Sequence, residues 1–260
     1  MDYLAPDFSS AALVTIDTQV DTLDDQPLEV PGTSGAVPEI ASLAAVFRDA
    51  GRPIVHVVRL YRGDGSNVDL CRRSAVEAGA KILAPGSSGS QLAPGIVERP
   101  GSFTLDAPEL LGGRPQEVGP REVVMYKPRW GAFYETSLED HLRRHGVSTI
   151  VFCGCNFPNC PRTSIYEASE RDFRLVLAED AISGLYEKGR EELENIGVRS
   201  RGSSSRWRTL PRCVRHRACD WLPAASRETW EQSRASRGPE PASIGCASLP
   251  LRPAGQLQTS

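Results

Sequence analysis

Strand-like apolar runs that alternate with helix-period segments predict an α/β fold. The expected form is doubly wound, a three-layer α/β/α arrangement around a mostly parallel sheet. Residues 11–16 are a continuous apolar run ended by Asp17, as in a strand buried on both faces. Residues 38–50 place Ile40, Leu43, Ala44 and Phe47 at helical spacing, and Gly51 closes them. Residues 54–58 are a second buried strand. Residues 63–119 are rich in Gly, Pro and Ser and read mostly as loop able to cover a site, with one short helix near 70–80. A third strand spans 122–126, and a helix over 137–145 carries Leu138, His141 and Leu142 and stops at Gly146. Residues 147–153 form a fourth strand. Asn159 caps a helix running to Arg171, 173–178 are a fifth strand and 188–196 a further helix. No convincing strand follows Gly197.

The chain of 260 residues is long enough for one large domain with a sizeable core. A net charge of -3 argues against a nucleic-acid or anionic-membrane partner. No apolar run is long enough to span a bilayer. The start, Met1-Asp2-Tyr3-Leu4, lacks the basic and apolar regions of a secretory leader, so the expected compartment is the cytoplasm. The 7 cysteines show no Cys-x-x-Cys spacing and the 4 histidines no nearby ligand pair, which argues against a zinc site and a disulfide framework. Neither metal nor cofactor is expected.

Residues 1–198 and 199–260 differ sharply. The second segment holds eleven Arg, no Lys and four acidic residues, with Ser and Pro abundant and no amphipathic period. It is expected to be a disordered or frameshift-derived basic tail. The abrupt loss of pattern after Gly197 favours the frameshift, and a nucleic-acid-binding tail is a lesser reading.

Asp17, Lys127 and Cys160 each follow the carboxyl end of an expected strand, the end where doubly wound folds bind ligands. Cys160 sits in Gly154-Cys155-Asn156-Phe157-Pro158-Asn159-Cys160-Pro161-Arg162, where a strand gives way to the first turn of a helix. Backbone N–H groups and the helix dipole there favour a thiolate. Each residue alone has a bland reading: a turn cap, a solvated loop charge, an inert buried thiol. Together they make an acyl-transfer constellation. Cys160 is the nucleophile, Asp17 accepts its proton, Lys127 holds the thiolate accessible near neutral pH, and the Asn156 and Cys160 N–H groups receive the oxyanion.

Residues 11–198 resemble the isochorismatase-like cysteine hydrolase family. Four separated blocks carry the resemblance. Ala12-Leu13-Val14-Thr15-Ile16-Asp17-Thr18-Gln19 looks like its first strand. Lys127-Pro128-Arg129-Trp130-Gly131-Ala132-Phe133-Tyr134-Glu135-Thr136-Ser137-Leu138 looks like its Lys-x-x-x-Ser-Ala-Phe-x-x-Thr-x-Leu block. Leu142 to Val151 resembles the next helix and strand. Gly154 to Cys160, with Ala168, Arg171 and Asp172, resembles the nucleophile block. The resemblance implies an Asp17, Lys127 and Cys160 triad, a cis bond at Cys155–Asn156, and a homodimer or homotetramer acting on a small molecule.

Three departures matter. The common Thr-Asn-Val-Cys-Val is here Phe157-Pro158-Asn159-Cys160-Pro161, and Gly131 replaces the Ser of the lysine block. Residues 59–69 contain no His, which argues against a metal-dependent nicotinamidase. Cys160 tips the balance towards C–N hydrolysis over the ether cleavage of isochorismatase-type members. The expected function is a cysteine amidohydrolase working through a thioester, with Gln19, Trp130, Phe133, Tyr134 and Arg162 as pocket candidates. An ether hydrolase, a non-catalytic binding member of the fold and a Cys155–Cys160 redox pair are the alternatives.

Overall fold

A computed structural model describes residues 2–98, 103–202 and 210. In chain order these form β1 (Ala11–Ile16), α1 (Thr33–Asp49), β2 (Ile54–Val58), α2 (Leu70–Glu77) and α3 (Ala107–Leu111). There follow β3 (Gln116–Gly119), β4 (Glu122–Tyr126), α4 (Leu138–Arg144), β5 (Thr149–Gly154), α5 (Cys160–Ser169), β6 (Arg174–Ile182), α6 (Glu187–Asn195) and β7 (Arg199–Arg201). The strands make one sheet in the order β3-β4-β2-β1-β5-β6-β7, parallel except for β3 against β4. The chain winds from β1 to β2 on one side and returns to β5 on the other. The crevice at the switch point therefore lies between the carboxyl ends of β1 and β5.

Alternation along β1 divides the core between two faces. Ala12, Val14 and Ile16 pack with Val55, Val57, Ile150 and Phe152 under Leu138, Leu142, Ile165 and Leu193 of α4, α5 and α6. Ala11 and Leu13 pack with Ile54, Val151 and Val176 under Ile40, Leu43, Ala44 and Phe47 of α1. Helices thus cover both faces of the central strands, the expected three layers.

Several boundaries differ from the sequence reading. α1 begins at Thr33 and carries Pro38 inside it. Gly32 at φ 84 supplies the sharp entry, and the turns on either side outweigh the hydrogen bond that Pro38 removes. α3 and β3 fall within the segment read as loop. Asp106 caps α3 by accepting the Glu109 N–H, whereas β3 is a short polar edge strand without an apolar signal. β7 corrects the expectation that no strand follows Gly197: Arg199–Arg201 pairs with Val176, Leu177 and Ala178 of β6. The rest of the expected basic tail, save Gly202 and Leu210, lies outside the described residues.

A buried polar network ties three strands to α1. Thr15 Oγ1 lies 2.9 Å from His56 Nδ1, and His56 Nε2 lies 2.8 Å from Glu122 Oε1. Arg48 donates twice to Glu122, each bond 2.7 Å. Burial pushes the Glu122 carboxyl up, but hydrogen bonds from Arg48 and His56 outweigh it and hold the group at about 2. The folded value lies below the ordinary one of 4.5. The network's contribution is therefore complete above that value and drains away as the pH falls towards 2. A shift of this size corresponds to about 3 kcal/mol. Stability measured by urea denaturation should fall by about this much between roughly pH 5 and pH 2. Glu122→Gln should flatten that fall, and an unchanged slope would show that the network does not set acid stability.

Candidate active site

Asp17 follows β1 directly. Its φ of 47 lies in the left-handed region, which Asp tolerates better than most residues, and its N–H donates to the Val57 carbonyl at 2.8 Å. Lys127 follows β4, with its N–H on the Val58 carbonyl at 3.0 Å. β2 lies between the two strands, so these residues start roughly 10 Å apart, two strand spacings. The long lysine stem closes that gap. Its ammonium lies 2.8 Å from Asp17 Oδ2 and donates to the Arg129 carbonyl at 3.1 Å. The Lys127 side chain is completely buried, a burial that only pairing makes tolerable. Asp17 Oδ1 is buried without a hydrogen-bond partner among the described residues, so it is open to accept a proton.

Cys160 is the first residue of α5. Pro161 follows at a position where a missing N–H costs nothing. The preceding turn is held by Cys155 N–H on the Ile16 carbonyl, Phe157 N–H on Ser183 and Asn159 N–H on Asn156. Gly154 makes the entry possible. Its φ is 116, and a Cβ there would lie 2.2 Å from the Ile16 carbonyl oxygen, inside the β1–β5 contact. The Asn156 and Cys160 N–H groups find no acceptor among the described residues. No peptide bond among the described residues is cis. That corrects the cis bond carried over from the resemblance, and the trans form is the one favoured by about 3 kcal/mol.

Burial, and next the Asp17 carboxylate, push the Cys160 thiol up to about 12, while Lys127 and Arg59 act in the opposite direction. This direction runs against the expectation of a thiolate near neutral pH. Desolvation outweighs both cations, and Cys160 rests as a neutral thiol beside its proton acceptor.

Asp17 and Cys160, but not the buried Lys127, open into a cavity of about 30 Å³, above the roughly 10–15 Å³ that admits one water. Asp17, Asn156, Cys160, Arg59, Arg72 and Trp130 are among the residues that line it. Of the other sequence candidates, Gln19 is fully buried. Its amide donates to the Arg59 and Ser90 carbonyls and accepts the Arg59 N–H, joining β1 to β2 behind the cavity. Phe133 packs against Phe173, and Tyr134 is exposed. Arg162 pairs with Glu192 and Tyr186. None of these four lines the cavity.

The sequence reading missed Arg59, Tyr61, Asp69 and Arg72. A signal existed, because Arg59 follows β2 as Asp17 follows β1. Asp69 is engaged by Arg59, Arg72 and the Tyr61 hydroxyl. No cluster of three or more His, Cys, Asp or Glu among the described residues is placed to hold a metal. Cys155 and Cys160 are both free thiols.

The lysine block is anchored to α5. Ala132 N–H donates to Ser164 Oγ and Phe133 N–H to Glu167 Oε2, while Ser164 also donates to the Cys160 carbonyl. A Cβ on Gly131 would lie 2.2 Å from the Glu167 carboxyl. Glu167 thus occupies the space that a serine would need.

A sequence model of the isochorismatase domain matches residues 11–196. The chain is 26% identical over 206 residues to a probable inactive nicotinamidase of Arabidopsis thaliana, covering 76% of this chain and 94% of that one. It is 28% identical over 176 residues to a maleamate amidohydrolase of Pseudomonas putida, covering 66% and 71%. The crystal structure of an isochorismatase family protein from Desulfovibrio vulgaris aligns with a TM-score of 0.62 at 30% identity, covering 75% of this chain and 94% of that one.

Proposed function

The chain belongs to the isochorismatase family of hydrolases, and from that premise we propose that it is a cysteine amidohydrolase, cleaving the C–N bond of a small amide, ureido or carbamoyl substrate. The observation that carries this reading is the Asp17–Lys127 ion pair of 2.8 Å beside Cys160. The amidohydrolases among its relatives support the choice of bond.

Asp17 Oδ1 takes the Sγ proton as sulfur attacks the carbonyl carbon. Transferring the proton during attack avoids a free buried thiolate, which the resting site disfavours. The oxyanion accepts from the Asn156 and Cys160 N–H groups, each worth about 3 kcal/mol by analogy with other oxyanion holes. The tetrahedral adduct collapses, the C–N bond breaks, and the amine or ammonia leaves with the proton from Asp17. A thioester on Cys160 remains. Asp17 then takes a proton from water, the hydroxide attacks the thioester, and the thiol departs reprotonated with the carboxylic acid product. Lys127 stays cationic throughout and holds the Asp17 carboxylate in place. The same reading takes the protein as a cytoplasmic homodimer or homotetramer whose partner is its small-molecule substrate.

Ammonia release from a panel of carboxamides, ureas and N-carbamoyl acids tests the proposal. At least one class should be hydrolysed, and acid quenching should leave an acyl mass adduct on the peptide carrying Cys160. Failure of every class, with no adduct, would overturn it.

A further inference from the structure

Phe157 does not line the cavity, although Asn156, Asn159 and Cys160 on either side of it do. It is completely buried, packed in the core with Ile165, Ile182 and Leu193. Its ring meets the Tyr186 ring edge-on, with centroids 5.5 Å apart and planes at 72°. The same ring fills a notch in the first turn of α6. A Cβ on Gly189 would lie 2.4 Å from Phe157 Cε1 and 3.0 Å from Cζ. Gly189 is not among the residues of positive φ. The close approach of the ring, rather than the backbone conformation, therefore calls for glycine there.

The backbone beside Asn156 is fixed as well. Phe157 N–H donates to the Ser183 carbonyl at 2.8 Å, and the Phe157 carbonyl accepts the Arg162 N–H at 3.2 Å. On the other side, Cys155 N–H is held by the Ile16 carbonyl at 2.8 Å. The Asn156 N–H lies between these anchors, in a planar unit that can turn only about the dihedrals beside it. The nucleophile helix is tied to the same support. Arg162 of α5 donates to the Tyr186 hydroxyl at 2.7 Å and to Glu192 of α6 at 2.5 Å. One helix, α6, thus braces both the turn that carries Asn156 and the helix that begins with Cys160.

We propose that Phe157 is a positioning residue: its ring, seated in the Gly189 notch against Tyr186, sets where the Asn156 N–H stands relative to Cys160 and so shapes the oxyanion site. The inference rests on the amidohydrolase reading for what that N–H receives. The anchoring of the turn does not depend on it.

Gly189→Ala tests this without emptying the core. Alanine is the better helix former, so any harm done by the added methyl group comes from its push on the ring. The probes are butyramide, ethylurea and N-carbamoylglycine, one from each substrate class, given to the full chain. For those hydrolysed, kcat should fall by about a hundredfold with KM within about threefold, the pattern of losing one oxyanion donor. Hydrogen exchange, read by mass spectrometry, should quicken about tenfold in the peptide carrying residues 155–160 and stay unchanged in β1 and β2. Adding Phe157→Leu gives the methyl group room, and should raise kcat again by at least about tenfold. Unchanged kcat and unchanged exchange in Gly189→Ala would overturn the inference. Quickened exchange in the turn with no loss of kcat would also overturn it, and would leave the amidohydrolase reading intact. A fall in kcat accompanied by faster exchange throughout the sheet would reduce Phe157 to a role in stability alone. Local quickening, relieved by Phe157→Leu, in a protein whose unaltered form hydrolyses none of the three probes would sink the amidohydrolase reading and leave the anchored turn standing.

Discussion

A Cys160→Ala chain is expected to fold and to release no ammonia from any substrate that the unaltered protein hydrolyses. The loss should approach 10⁶ in kcat, roughly the scale of deleting a covalent nucleophile. The fold should survive because Cys160 gives the core only a small sulfur at the edge of the cavity, 7% exposed. The Cys160 carbonyl, which accepts from Ser164 Oγ within α5, is a backbone atom that alanine retains. Circular dichroism and a thermal melt check the first half of the expectation, and ammonia release the second. Undiminished turnover in a folded Cys160→Ala chain would end the covalent mechanism. If Asp17→Ala then proved inactive, an ether hydrolase that does without the cysteine would become the better description.

Lys127→Met should damage stability and activity together. The ammonium is completely buried, and its loss leaves the Asp17 carboxylate, 9% exposed at its side chain, without its cation. Removing one partner of a buried pair costs about 3–5 kcal/mol, readable as a fall in the urea midpoint. Without the ammonium 2.8 Å away, nothing holds the Asp17 carboxylate in place to take the proton from Cys160. Activity should therefore fall by at least about a hundredfold, the scale of a lost electrostatic group. A second change separates the two effects. Lys127→Met with Asp17→Asn should regain part of the stability, because no unpaired charge remains, and none of the activity. Equal recovery of both would show that the pair serves the fold alone.

The central sheet was legible because β1, β2, β4 and β5 are buried, and burial on both faces writes itself as uninterrupted apolar sequence. The juxtaposition of Asp17, Lys127 and Cys160 was legible for a related reason: each follows the end of such a run. Edge strands carry no such mark. β3 is Gln-Glu-Val-Gly and β7 is Arg-Ser-Arg, and their pairing is made by the backbone. The cavity wall is not written beside the motif residues along the chain. Tyr134 and Arg162 lie close to Lys127 and Cys160 in sequence, yet one is exposed and the other is engaged by Glu192. Arg72 comes from a helix within the segment read mostly as loop, and only the folded chain brings it to Trp130. The thiol's state was misjudged because charges can be counted in sequence and desolvation cannot.

The packing of Gly131 against Glu167 makes the two positions a coupled pair. A Cβ at 131 would lie 2.2 Å from the Glu167 carboxyl, the flexible end of a side chain. A serine there would swing that carboxyl off the Phe133 N–H that it accepts and loosen the lysine block from α5. The cost of a change at either position therefore depends on which residue stands at the other.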